Sequence, residues 1–316
     1  MEFPKQPDAA STVYHDEHLL DHAAMLAMRA VIALHPAAEI GPAGRSAFDA
    51  LIEKTPAADD VTYEAATQGG IPGWWFRPAE AAADGVILYL HGGGYVVGSA
   101  KAYRNFAGQI AVRANASLFV ADYGLAPERP FPAAVEDAEA SYRAMAVAGF
   151  SKIALAGDSA GGGLALVTMA RMAQAARDGV VPFPVVAAVM SPWTDLALTG
   201  DSMETRAAHD PLLTRAALER SRQFYIGQGD AKNPWASPLY GALTGLPPTL
   251  LHVGEDEILL DDARRYANLL TAAGSPAELH VWQGMVHVFP ANLALLQAAR
   301  EALDITGDFL RRSFAR

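Results

Sequence analysis

Two side chains decide what chemistry this chain can attempt: a serine set among small residues, and a histidine placed late in the sequence. Residues 157–163 read GDSAGGG, directly after the apolar run Lys152-Ile153-Ala154-Leu155-Ala156. Gly157, Ser159 and Gly161 have the spacing G-x-S-x-G, and a helix-like segment, 160–178, follows. A strand-to-helix turn that sharp projects the serine hydroxyl above the end of a sheet, and it leaves no room for side chains at the two flanking glycines. The alternative is a plain glycine turn, which needs no partners elsewhere. A hydroxyl is a weak nucleophile unless a neighbouring base takes its proton and a third group orients that base. Of nine histidines, His91 precedes the serine, and His252 and His280 sit inside strand-like runs, where a packed histidine is the expectation. His287, in Gly284-Met285-Val286-His287-Val288-Phe289, falls in the loop after the last strand-like run and is the candidate base. The acid belongs to Gly254–Asp262, where Glu255, Asp256, Glu257, Asp261 and Asp262 crowd one loop and the start of a helix. Most of these must be solvated or placed near the helix N-terminus, while one has to reach His287 Nδ1.

Acyl transfer also needs donors where the oxyanion forms. His91-Gly92-Gly93-Gly94-Tyr95 follows another strand-like run, and three glycines let backbone N–H groups approach a ligand without Cβ obstruction. His-Gly-Gly-Gly arises by chance about 0.005 times in a chain of this composition, so the motif carries weight. A phosphate cradle is the rival reading, but the dinucleotide fingerprint G-x-G-x-x-G opening a helix is missing here.

The elements that must hold these residues alternate. Strand-like runs stand at 85–90, 117–121, 152–156, 185–190, 249–253 and 278–282, with helix-like segments at 101–114, 132–148, 160–178 and 261–273, the last closed by Gly274. That alternation predicts an α/β protein with a mostly parallel sheet covered on both faces. Residues 196–246 break the rhythm with helix-like pieces such as 214–225 and no strong strand, which predicts an insertion. Together with an N-terminal helix over 15–34 and the Pro/Gly-rich stretch 36–44, it is expected to cap the carboxyl ends of the strands. The expected organisation is one composite domain: an N-terminal cap segment 1–55, core 56–195, cap insertion 196–246 and core 247–316.

The formal net charge of −11 argues against a nucleic-acid surface and offers no basic stripe to an anionic membrane. With no cysteine, disulfides, thiolate zinc sites and a cysteine nucleophile are excluded. No cationic segment followed by an apolar core opens the chain and no apolar stretch reaches bilayer length, so a cytoplasmic enzyme is the expectation. His15, His18 and His22 stand at helical spacing near Asp16, Glu17 and Asp21; the expectation is a solvated surface, not a metal site.

The motifs together resemble the bacterial hormone-sensitive-lipase family of esterases, in the α/β-hydrolase superfamily. The resemblance runs from about Trp74 to Phe289 and rests on HGGGY (91–95), DYGLAPERPFPAAVEDA (122–138), GDSAGG (157–162), SPWTDL (191–196) and the segment 285–289. Gly124 departs from the arginine of the family's Y-R-L-A-P-E run. The resemblance implies the α/β-hydrolase fold with a helical cap, and a carboxylesterase acting on short- to medium-chain esters through an acyl-enzyme. It implies a serine triad of Ser159, His287 and an acid, and an oxyanion hole from two of Gly92, Gly93 and Gly94 with the Ala160 amide. The family's acid often reads D-P-L-x-D; Glu257, with Leu259 and Asp261 following, fits this better than Asp256, although glutamate departs from the commoner aspartate. Tyr95, Asp158, Trp193 and Phe289 flank these motifs and are the candidates for the substrate pocket. No metal or organic cofactor is implied, the partner is a small-molecule ester, and a homodimer is the family's expectation. The same triad would serve a lactone or amide hydrolase. A non-catalytic receptor on the same scaffold predicts a missing triad member.

Overall fold

The computed structural model describes residues 10–34 and 40–315. Its elements in chain order begin with β1 (Ser11–His15), α1 (Leu19–Leu34), α2 (Arg45–Ile52), β2 (Val61–Gln68), β3 (Ile71–Pro78) and β4 (Ala82–Leu90). They continue with α3 (Arg104–Ala114), β5 (Ala116–Ala121), α4 (Ala133–Val147), β6 (Lys152–Asp158), α5 (Ser159–Arg177) and β7 (Ala187–Met190). Last come α6 (Ser202–Thr205), α7 (Arg215–Ile226), β8 (Thr249–Gly254), α8 (Leu260–Ala272), β9 (Ala277–Trp282) and α9 (Gln297–Phe314). The strands form one nine-stranded sheet in the order β1-β9-β8-β7-β6-β4-β5-β3-β2. Pairing is parallel from β1 through β5, and antiparallel only in the β2–β3 hairpin and its junction with β5.

The central strands are apolar throughout because both faces are buried. Successive side chains alternate between two cores. Leu88, Leu90, Ile153 and Leu155 pack in one core with Ala138 and Tyr142 of α4, Leu164 and Met169 of α5, and Tyr266 of α8. Ile87, Tyr89, Ala154 and Ala156 pack in the other with Phe106 and Ile110 of α3 and Leu303 and Leu310 of α9. This α/β-hydrolase sandwich turns the carboxyl ends of β4, β6, β7 and β8 toward one rim.

The first segment differs from the expected helix over 15–34. Ser11–His15 is a strand, parallel to β9, and the helix begins at Leu19. Its β-branched and aromatic residues suit a sheet edge, and the His15 ring stacks on Trp282 with centroids 3.6 Å apart. Residues 1–9, 35–39 and 316 lie outside the described residues, so the start of the expected cap segment and most of the Pro/Gly-rich stretch before residue 40 are not described. The hairpin β2–β3 and helices α2 and α9 add to the elements read from the sequence. In the interval 196–246, α7 starts where Thr214 Oγ1 accepts the Ala217 N–H at 3.1 Å, an N-cap. Gly274 follows α8 with φ +81°, the left-handed residue that ends it. Among the described residues no helix is long and apolar enough to cross a membrane.

Candidate active site

Ser159 sits where β6 ends at Asp158 and α5 begins, with φ +52° and only 8% of its surface exposed. The turn is possible because Gly161 lacks a side chain: a Cβ there would meet Leu90 O at 2.1 Å and His91 O at 2.2 Å. The helix that follows directs its N-terminal dipole and free N–H groups toward the Ser159 hydroxyl. The next strand end is tied in by Trp193, whose N–H donates to Ser159 O at 2.9 Å.

His287 follows β9 in a loop that returns over the strand ends. Its Nε2 lies 2.9 Å from Ser159 Oγ and its Nδ1 lies 2.7 Å from Glu257 Oε2. A carboxylate can only accept, so Nδ1 carries the proton and Nε2 is left as acceptor for the serine O–H. The other Glu257 oxygen, Oε1, accepts from Gly254 N–H and Ser191 Oγ–H, both at 2.7 Å. Glu257 is wholly buried. The remaining carboxylates of the loop face elsewhere. Asp256 pairs with Arg29 Nη2 at 2.7 Å and Glu255 lies 3.6 Å from Arg206. Asp261 accepts the Ser202 N–H at 2.8 Å, and Asp262 accepts the amides of Thr194 and Asp195 at 2.8 and 2.9 Å. Burial would lower the basicity of His287, but the hydrogen bond and charge of Glu257, with the charges of Asp210 and Asp158, outweigh it and raise the imidazole above its ordinary value.

Asp210 is the carboxylate that sequence reasoning missed. Its Oδ2 accepts the Ile258 N–H at 2.9 Å, next to Glu257, and its Oδ1 accepts from Leu212 and Leu213 at 2.9 Å each. As an Asp before a proline in an irregular stretch it carries only a turn signal, and nothing local points to residue 258.

The glycine loop is resolved by its hydrogen bonds. Gly92 N–H is held by Asp158 Oδ1 at 3.0 Å and Tyr103 OH at 3.1 Å. Gly93 and Gly94 N–H have no partner among the described residues, and neither does the Ala160 N–H in the first turn of α5. Three N–H donors of the site motifs are therefore free among the described residues.

Asp158 and Phe289 are not where pocket residues would be. The Asp158 carboxylate is buried and accepts from Tyr89 OH at 2.7 Å, Tyr103 OH at 2.9 Å and Gly92 N, so it braces the glycine loop from beneath. Burial raises its pKa, against the pull of those donors. Phe289 packs into the core on the α3–α9 face, with its ring 5.5 Å from Trp282, because the turn after His287 folds it down. Tyr95 and Trp193 do share a cluster, with ring centroids 6.2 Å apart, and Tyr95 stacks flat on Tyr225 of α7 at 3.7 Å.

The N-terminal histidines hold separate partners: His15 Nε2 meets His280 Nδ1 at 2.8 Å, His18 meets Glu301 at 3.2 Å, and His22 meets Glu17 at 2.8 Å. No group of three or more potential metal ligands exists among the described residues. Gly124 has a local reason. A Cβ there would lie 2.8–3.0 Å from the Arg129 side chain, whose guanidinium forks onto Asp137 while Gly124 N–H donates to the same carboxylate.

Residues 87–291 match the family model described as alpha/beta hydrolase fold. A Streptomyces hygroscopicus protein named acetyl-hydrolase is 42% identical over 248 residues, covering 78% of this chain and 81% of its own length. A crystal structure of an esterase from the bacterial hormone-sensitive lipase family superposes with a TM-score of 0.85 at 36% identity, covering 99% of this chain and 100% of that one. A hormone-sensitive lipase from a metagenome library gives 0.87 at 35% identity, with 93% and 98% coverage.

Proposed function

This chain belongs to the α/β hydrolase fold family, on its hormone-sensitive-lipase branch, and is a carboxylic ester hydrolase; we propose that Ser159, His287 and Glu257 are the residues that do the work. The observation that carries the assignment is the unbroken chain of contacts from Ser159 Oγ through both ring nitrogens of His287 to Glu257 Oε2, at 2.9 and 2.7 Å.

In the proposed reaction the Ser159 proton passes to His287 Nε2 as Oγ bonds to the ester carbonyl carbon, and the carbonyl π pair moves onto oxygen. Gly93, Gly94 and Ala160 N–H groups receive that oxyanion, each worth about 10²–10³ in rate where water is excluded. Gly92 takes no part, since its N–H is occupied by Asp158 and Tyr103. The oxyanion collapses, the C–O bond to the alcohol breaks, and the leaving oxygen takes the proton from Nε2. Water then repeats the sequence on the acyl-enzyme, with His287 again as base, and releases the acid. Glu257 stabilises the imidazolium at both stages and stays ionised, helped by its donors Ser191 and Gly254. The residues supply every group this route needs, without metal or cofactor.

Helix α1 with residues 40–55 and the interval 196–246 act as the cap in this reading, whereas β1, in the expected cap segment 1–55, belongs to the core sheet. Three contacts support it: Arg29 with Asp256, Asp210 with Ile258, and Ser221 Oγ 2.7 Å from where a Gly94 Cβ would stand. The Tyr95–Tyr225 stack and Trp193 crowd the space beside the glycine loop, which favours short acyl groups, as the acetyl-hydrolase relative also suggests. A p-nitrophenyl ester series run beside a lactone and an anilide tests this. Acetate and butyrate should give the highest kcat/KM, falling beyond about C6 as the acyl chain outgrows the aromatic wall. A preference for C10 or longer esters overturns the chain-length reading, and faster turnover of the lactone or anilide overturns the ester reading.

A further inference from the structure

Seven non-glycine residues have left-handed φ among the described residues, and four lie in the site segments: Tyr95 (+65°), Ser159 (+52°), Ser191 (+47°) and Val288 (+50°). Clustered backbone strain of this kind persists where surrounding contacts over-determine it, and it points to function. The strain at Ser159 belongs to the nucleophile's turn. The reaction as written above uses Ser191, after β7, only as a donor to Glu257 and gives Val288, directly after His287, no part, and Val288 is β-branched, the type least suited to that region.

These two strained residues meet through one oxygen. Ser191 Oγ donates to Glu257 Oε1 at 2.7 Å and accepts the Val288 N–H at 3.0 Å. A hydroxyl has one proton and two lone pairs, a carboxylate only accepts and an amide N–H only donates, so both directions are fixed. Ser191 is fully buried, and its own N–H is pinned to His252 O of β8 at 2.7 Å. The Gly254 amide also donates to Glu257 Oε1, and Gly254 packs so close to Met285 that a Cβ there would lie 2.3 Å from Met285 O, but its N–H makes no hydrogen bond to the histidine loop. Backbone hydrogen bonds also tie the two loops, Asp256 N–H to Met285 O at 3.0 Å and Glu255 N–H to Trp282 O at 2.8 Å, but the Ser191 hydroxyl is the group that holds both the Glu257 carboxylate and the backbone next to His287.

We propose that Ser191 is a positioning residue for catalysis: its hydroxyl turns Glu257 toward His287 and fixes the strained Val288 backbone that aims the imidazole at Ser159. The inference rests on the triad reading above and adds a fourth member that touches neither substrate nor the reacting atoms. Its hydrogen bond draws part of the carboxylate's charge away from the imidazole. Without that donor, more of the negative charge acts on His287.

The test uses the full chain and p-nitrophenyl acetate. Ser191→Ala should lower kcat about 10- to 100-fold, the usual loss when a catalytic group's orienting partner is removed. KM should stay within about twofold, because no substrate contact is removed. The acidic limb of its kcat/KM profile should move to higher pH, which a merely structural loss of stability would not do. Ser191→Gly removes the same hydroxyl and suits φ +47°, so it should reproduce both effects. In a Glu257→Gln background, Ser191→Ala should cost much less than in the wild type. The inference is overturned if kcat stays within about twofold of wild type, if the acidic limb does not move, if Ser191→Gly restores activity, or if the cost is the same in both backgrounds. Ser159→Ala separates the two readings. If it keeps turnover the triad itself fails, and if it is inactive while Ser191→Ala is unaffected only this inference fails.

Discussion

Two buried histidines near the same edge of the sheet have opposite chemistry. His252 lies in β8 facing His280 of β9 across the register, with His15 of β1 beyond it. His287 lies a few residues past the end of β9, against Glu257. Burial lowers the basicity of both. At His252 the neighbouring imidazoles His280 and His15 push the same way, and the pKa falls well below the ordinary 6.5. Trp282 Nε1–H donates to His252 Nδ1 at 3.1 Å, which requires that nitrogen to be unprotonated. At His287 the carboxylates reverse the sign. The lesson is that position in the core does not make an imidazole a base; the charge on its second nitrogen's partner does.

The sharpest way to break the comparison is to remove the members of the reactive group one at a time. Ser159→Ala and His287→Ala should each lower kcat by about 10⁶, and Glu257→Gln by about 10⁴. Asp256→Asn, which releases only the partly exposed pair with Arg29, should change kcat less than about threefold. Steady-state kinetics on p-nitrophenyl acetate measures all four, and a collapse confined to Asp256→Asn would move the acid to that residue.

A subtler contrast lies in pH. In the proposed reaction His287 must be neutral to accept the serine proton, and its pKa is raised, so kcat/KM should climb with pH through an apparent pKa above 6.5. His252 must be neutral to fold, and its pKa is lowered. The unfolded chain binds the extra proton first, so its contribution is complete above 6.5 and is lost as pH falls below that value. His252→Asn keeps an acceptor for Trp282, so thermal unfolding at pH 8 should show only a small drop in Tm, roughly 2–4 °C. The variant's Tm should then fall less steeply than the wild type's between pH 6.5 and 5. An equal slope in both would place the acid sensitivity elsewhere.

Much of the site is legible in the sequence because local sterics write it there. Gly157 and Gly161 are required by the turn at Ser159, and the three glycines after His91 by backbone approach. The order of serine, acid and histidine follows from which strand ends face one rim. The inner strands β4 to β7 are legible because burial on both faces makes their central residues continuously apolar, whereas β8 and β9 are legible despite His252, Glu278 and His280. What is not legible depends on partners far away in the chain. Gly92 looks like its two neighbours until Asp158, 66 residues on, takes its N–H. Asp158 and Phe289 sit beside motifs in sequence but point away from the site, since one step along a strand or turn reverses a side chain's face. β1 carries no strand signal of its own, and its last residue, His15, reads as the start of a helix until β9 supplies the hydrogen bonds; the polar alternation of β2 leaves that edge hairpin without an apolar run. Ser191 opens the SPWTDL motif, but no role can be read for it until the loops of Glu257 and His287 arrive on either side of its hydroxyl.

The most direct test of the Ser159 assignment is covalent. A fluorophosphonate probe, followed by intact-protein and peptide mass spectrometry, should add a single adduct to the wild type, on the peptide carrying Ser159. Ser159→Ala should stay unlabelled and His287→Ala should label far more slowly. An adduct on another residue, or a Ser159→Ala protein that labels and turns over ester like the wild type, would contradict the account.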